Sequence, residues 1–124
     1  MPVRVLVADD NLDVQELVND ILLINFKDVV VDRVLDADTL RAKLGTARQR
    51  YDLVIAASSL LDGTGKSAGA IVRDEFPDHL DKMILLEDTA GQEPCGPDRA
   101  PVAVLTKPFS LDEFGDCIRR ICPR

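Results

Sequence analysis

Aliphatic residues gather in short runs along the chain, at Val3 to Ala8, Val29 to Leu35, Leu53 to Ala57, Met83 to Leu86 and Val102 to Leu105. Each run is dominated by apolar residues, and those at Val3 to Ala8 and Val29 to Leu35 are rich in β-branched ones. Strands covered on both faces read this way, whereas strands with one wet face alternate. Between them the apolar spacing lengthens to that of a helix. After Asp9-Asp10-Asn11, residues Leu12, Val14, Leu17, Val18, Ile21, Leu22 and Ile24 predict a helix ending near Phe26, with Asn11 as its N-cap. Ala37 to about Arg50 predicts a more polar helix interrupted by Gly45. From Lys66, the pattern Ala70, Ile71, Val72 and Phe76 predicts a third helix. It stops just before Pro77, whose ring disfavours helical geometry in the preceding residue. Ser110-Leu111-Asp112-Glu113 is a capping box that opens a last helix running through Ile121.

Strands alternating with helices build a parallel sheet with helices on both faces, because each crossover returns right-handed over the sheet. The expected fold class is therefore α/β: a flavodoxin-like, doubly wound, five-stranded parallel sheet of order 2-1-3-4-5, formed as one domain over residues 1–124. In such a sheet the ligand site lies beyond the carboxyl ends of the strands, where the winding reverses between the first and third strands.

Composition narrows the function classes. The hydrophobic fraction of 46% excludes a disordered chain. No apolar run approaches the roughly 18 residues of a membrane span, and no leader-like segment precedes the first strand, so a cytoplasmic protein is expected. The formal net charge is −7 and the basic residues are scattered, which argues against direct binding to nucleic acid. Cys95, Cys117 and Cys122 form neither an even framework nor a metal spacing, and read as reduced thiols. His79, in the polar stretch Pro77-Asp78-His79, reads as a surface histidine.

The candidate chemistry lies at the strand ends. The first strand runs into Asp9 and Asp10, the third ends in Ala57, the fourth is followed by Glu87 and the fifth by Lys107-Pro108-Phe109. Any one such charged residue is ordinarily a solvated loop residue. Together, an acidic pair suits a hard cation such as Mg²⁺, and an ammonium group beside it suits a phosphoryl oxygen.

On VLVADDN at the first strand, YDLVIAASSLLDGTG at the third, MILLEDTA at the fourth and LTKPF before the last helix, the chain resembles the receiver domain of bacterial two-component response regulators (the CheY-like superfamily) along essentially its whole length. The resemblance implies a phosphorelay signalling module rather than an enzyme. In that family a histidine kinase or small phosphodonor phosphorylates an aspartate at the end of the third strand. Mg²⁺ is held by the acidic pair, that aspartate and a backbone carbonyl two residues later. A Ser or Thr after the fourth strand and the lysine of the KPF motif grip the phosphoryl group. Carried over, Asp9 and Asp10 match the acidic pair, Lys107 the lysine, and the Ser59 carbonyl the backbone ligand. Leu60, Asp62, Gly63 and Gly65 set the register of the turn and place the phosphoacceptor position on Ala57, with Leu61 standing where a proline is usual.

The chain departs from the family pattern at three places. Ala57 carries no nucleophile, so no acyl phosphate forms there. The hydroxyl switch position holds Glu87, whose carboxylate repels a phosphoryl group, and the aromatic switch position holds Val104. Ser58 and Ser59 are poor substitutes, since no histidine in the pattern activates them. The expected module is thus a pseudo-receiver that acts by phosphate-independent protein contact. Its acidic pocket of Asp9, Asp10 and Glu87 binds Mg²⁺ weakly at most, no cofactor is required, and Lys107 pairs with Asp10 or Glu87 to hold the pocket in one state. The partner class is a histidine kinase or a downstream effector, with no membrane or nucleic acid, and a homodimer is left open. Two alternatives stand beside this reading: a conventional relay with an engineered Ala57 block, and a small Mg²⁺-dependent phosphatase of the same fold class. Between Glu87 and Lys107 the chain is rich in proline and glycine, so the helix between the fourth and fifth strands is expected to be shortened or irregular.

Overall fold

The computed structural model describes residues 3–46, 51–87, 103–106 and 110–121. Five parallel strands, β1 (Val3–Ala8), β2 (Val29–Val34), β3 (Leu53–Ala57), β4 (Met83–Glu87) and β5 (Ala103–Thr106), lie in the order β2-β1-β3-β4-β5. The helices are α1 (Leu12–Asn25), α2 (Ala37–Thr46), α3 (Ala68–Glu75) and α4 (Leu111–Ile121). The winding reverses between β1 and β3, where the sequence placed the site.

The apolar runs make strands for the reason their composition suggests: both faces of the central strands are covered. Alternate residues divide between two cores. Val5, Ile55 and Ile84 face α1 and α4 with Val18, Ile21, Phe114 and Ile118. Leu6, Val54 and Leu85 face α2 and α3 with Leu40, Ile71 and Val72. Burying one such aliphatic side chain contributes about 1.5–3 kcal/mol relative to leaving it exposed. Gly69 lets α3 come close to the sheet, since a Cβ there would sit 3.2 Å from Leu85 Cδ1.

The caps form as the sequence requires. The Asn11 side-chain oxygen accepts the amides of Asp13 and Val14 at 2.9 and 3.2 Å. The capping box closes in both directions, Glu113 N–H to Ser110 Oγ at 3.0 Å and Ser110 N–H to Glu113 Oε1 at 3.2 Å. Phe26 ends α1 in extended geometry, its amide still bonded to the Leu22 carbonyl.

Several expectations are corrected. The third helix starts at Ala68 rather than Lys66, because the Ser67 hydroxyl caps it by accepting the Ala70 amide at 3.2 Å. After Phe76 the chain continues into a 3₁₀ segment, Pro77–Lys82, that the sequence pattern did not signal. In α1 the buried residues are Gln15, Val18, Ile21 and Leu22, while Leu12 and Ile24, counted in the apolar periodicity, are 65% and 75% exposed. His79 is buried, not at the surface. Its Nε2 accepts the Tyr51 amide at 3.3 Å, which places the ring under the entry to β3. Cys117 is a buried free thiol, as expected; Cys95, Cys122 and the segment of the proposed irregular helix lie outside the described residues.

Candidate functional site at the carboxyl edge of the sheet

The site is built from the last residues of β1, β3 and β4. In the parallel register Ala8 lies beside Ala56, and Ala57 beside Leu86, so Asp9, Ala57 and Glu87 emerge along one edge. The β3–β4 ladder continues one step past Ala57, where the Ser58 amide donates to the Leu86 carbonyl at 2.8 Å. This bond holds the first residue of the turn against β4.

Ala57 is 1% exposed and packs in the apolar cluster that includes Leu60 and Ala68. Its methyl is therefore part of the core at the carboxyl end of β3. Beside it Asp9 is buried and Asp10 exposed. One Asp9 carboxylate oxygen accepts the Asn11 amide at 2.9 Å, which turns the chain from β1 into α1. Glu87 is partly buried at the end of β4. Lys107, and the side chain of Val104, lie outside the described residues.

Asp9 is also fixed through its backbone. Its amide donates to the Val34 carbonyl at 3.2 Å. The buried Gln15 side-chain amide donates to both the Asp9 carbonyl (3.0 Å) and the Val34 carbonyl (2.8 Å), joining the ends of β1 and β2 from inside α1. Gln15 Oε1 has no hydrogen-bond partner among the described residues. Sequence reasoning passed over Gln15 because a glutamine inside an apolar helix face carries no signal of its own until its two carbonyl partners are known.

Beyond Ser59 the turn closes on itself. Leu61 pairs with Ser67 in an isolated antiparallel bridge, the Asp62 amide donates to the Lys66 carbonyl at 2.9 Å, and Gly65 takes φ +89°, a conformation open to glycine. Asp62, read from sequence only as a register marker, is the buried centre of this turn. Its Oδ1 accepts the Thr64 hydroxyl (2.7 Å), the Thr64 amide (2.8 Å) and the Lys66 amide (2.9 Å), and its Oδ2 accepts Arg41 Nη2 at 2.7 Å. These bonds, led by those from Thr64 and Arg41, hold the Asp62 carboxyl well below the usual carboxylate range.

Mg²⁺ takes oxygen ligands and keeps several waters when only one or two carboxylates bind it. Among the described residues no three His, Cys, Asp or Glu side chains gather as a metal cluster. One Asp9 oxygen is already committed to the Asn11 amide.

Comparison with known proteins agrees with this architecture. The chain resembles the signal receiver domain of an HD domain-containing protein from Pseudomonas fluorescens Pf-5, with 18% identity and a TM-score of 0.75 over 99% of this chain and 96% of that one. It also resembles the chemotaxis response regulator CheY4 of Vibrio cholerae, at 20% identity and a TM-score of 0.71 over 98% of this chain and 99% of that one. The receiver domain of the sensor histidine kinase PA1611 from Pseudomonas aeruginosa PAO1, whose structure has a magnesium ion coordinated in the active-site cleft, matches at 24% identity and a TM-score of 0.69 over the full length of both chains. No family model and no curated protein matches the sequence. The chain has the receiver-domain fold. No helix among the described residues is long and apolar enough to cross a membrane.

Proposed function

We propose that this chain is a receiver-like signalling module that does not take phosphate at the usual position and acts by direct contact with a signalling protein. The observation that carries this reading is Ala57, a buried methyl at the end of β3, level with Leu86 and flanked by the Asp9 edge of β1. A methyl group offers neither an oxygen to attack phosphorus nor a ligand to a cation. Glu87 at the end of β4 strengthens the reading, since a carboxylate disfavours a dianionic phosphoryl group where a hydroxyl would bind it.

Asp9, Asp10 and the Ser59 carbonyl are the residues that would hold a weak Mg²⁺ ion. The ion's chemistry, when bound, is the neutralisation of clustered carboxylates. In this reading the lysine at position 107 supplies the same neutralisation as a tethered cation, without phosphate. The partner is a histidine kinase or a downstream effector that recognises the module in this state.

The test is an NMR titration of the chain, first with Mg²⁺ and then with beryllofluoride. Small shifts near Asp9 and Asp10 with Mg²⁺, and none added by beryllofluoride, are expected. Saturable beryllofluoride shifts centred on Asp9, Asp10 and residues 57–59 would overturn the reading.

A further inference from the structure

The β3–α3 turn is tied to two helices through a single guanidinium. Arg41, on α2, donates from Nε and Nη2 to the two carboxylate oxygens of Glu75 on α3, each at 2.9 Å. Its Nη2 also donates to Asp62 Oδ2 at 2.7 Å, and its Nη1 lies 3.7 Å from Asp38. Lys66 closes the far side of the turn, its ammonium 3.0 Å from Glu75 and 3.4 Å from Asp74, while Arg73 binds Asp74 at 2.9 Å. The planar fork of arginine satisfies two carboxylates in fixed directions, which a lysine point charge does not.

The geometry matters because Asp62 is committed on both oxygens. Oδ1 shapes the turn through Thr64 and Lys66, so whatever fixes Oδ2 fixes the turn as a unit. Toward β3 that unit continues into Leu60, which donates to the Ala57 carbonyl at 3.2 Å and accepts from the Ala68 amide at 3.0 Å. Ser59 lies between these anchors.

We propose that Arg41 is a positioning residue: acting through Asp62 and Glu75, it clamps the β3–α3 turn, and with it the Ser59 carbonyl, in one arrangement whether or not a cation occupies the acidic pocket. This inference stands independently of whether position 57 takes phosphate. It is read on the chain without partner or phosphoryl mimic, so its failure and that of the proposed function are distinguishable.

The test is amide hydrogen exchange followed by NMR. Arg41→Ala is expected to speed exchange at Thr64, Gly65 and Lys66 by about tenfold or more, with Ile55 and Leu85 unchanged, as local opening requires. Arg41→Lys, which keeps the charge but loses the fork, restores part of the protection, and Mg²⁺ leaves the wild-type turn unchanged. Asp62→Asn, which keeps an oxygen for Thr64 and Lys66 but turns an amide toward Arg41, gives the same local signature should Arg41→Ala not fold. Protection of the wild-type turn persists as pH falls through the ordinary carboxylate range near about pH 4. Unchanged exchange in both variants, acceleration spread evenly over the sheet, a Mg²⁺-dependent turn, or loss of protection at ordinary carboxylate pH would each overturn the proposal.

Discussion

Ala57 lies beside Leu86 across the parallel β3–β4 ladder, and the amide that follows it, from Ser58, donates to the Leu86 carbonyl at 2.8 Å. The carboxyl end of β3 is thus held against β4 one residue beyond Ala57.

Placing a carboxylate at position 57 has a predictable cost. Ala57→Asp puts a charge into a closed site that already borders Asp9 and Glu87, without adding a cation. Thermal denaturation at neutral pH is expected to show a loss of about 1–3 kcal/mol. Mg²⁺ should recover much of it, because a ligand that binds only the folded state stabilises by mass action. A variant as stable as the parent without Mg²⁺ would show that the pocket already contains a spare positive charge.

Gln15 makes a second site of testable stability. Gln15→Ala removes the donor shared by the Asp9 and Val34 carbonyls and leaves the Asp9 carbonyl short of that partner. Urea unfolding should show a loss of about 1–3 kcal/mol. The amide of Asp9 should lose exchange protection more than that of Val5, since the missing bonds lie at the carboxyl end of β1.

Tyr51, the only tyrosine in the chain, reports on the opposite edge of the sheet. Its hydroxyl donates to Asp32 Oδ2 at 2.6 Å, and the Arg4 guanidinium lies 5.3 Å from its ring centroid. Burial first, and the bond to Asp32 second, push its pKa up to about 12, against the opposing effect of Arg4. A group raised on folding contributes stability that is complete below its unfolded value, about 10, and lost as pH rises through the folded value. Tyrosinate absorbance should therefore appear near pH 12 in the folded chain, and the stability of the parent should fall between about pH 10 and 12. Tyr51→Phe should abolish that part of the alkaline loss; a titration midpoint near the free value would contradict the Asp32 contact.

The caps at Asn11 and Ser110 give a direct comparison. Asn11→Ala removes the acceptor for the Asp13 and Val14 amides and should cost about 1 kcal/mol. Ser110→Ala breaks one half of a reciprocal box and should cost a similar amount, with Glu113→Ala non-additive because both belong to one unit. A double-mutant cycle in urea measures the coupling.

The sequence alone determined the order of elements and the winding. Short apolar runs, Asn11, the Ser110 box and Pro77 act over a few residues, and short-range chemistry can be read from a linear string. It also determined that the third strand ends in a side chain without a nucleophile, Ala57. The tertiary structure decided what depends on partners distant in the chain. His79 read as surface because its neighbours are polar, yet the backbone amide of Tyr51, 28 residues away, gives its ring a buried acceptor role. Gln15 is inside because two carbonyls at strand ends, 6 and 19 residues distant, absorb its donors. The Arg41–Asp62–Glu75 clamp joins residues 21 and 34 positions apart that no local pattern links. Folding a sheet sets its strand ends and loops side by side, and the pairing of charges across them exists only once that has happened.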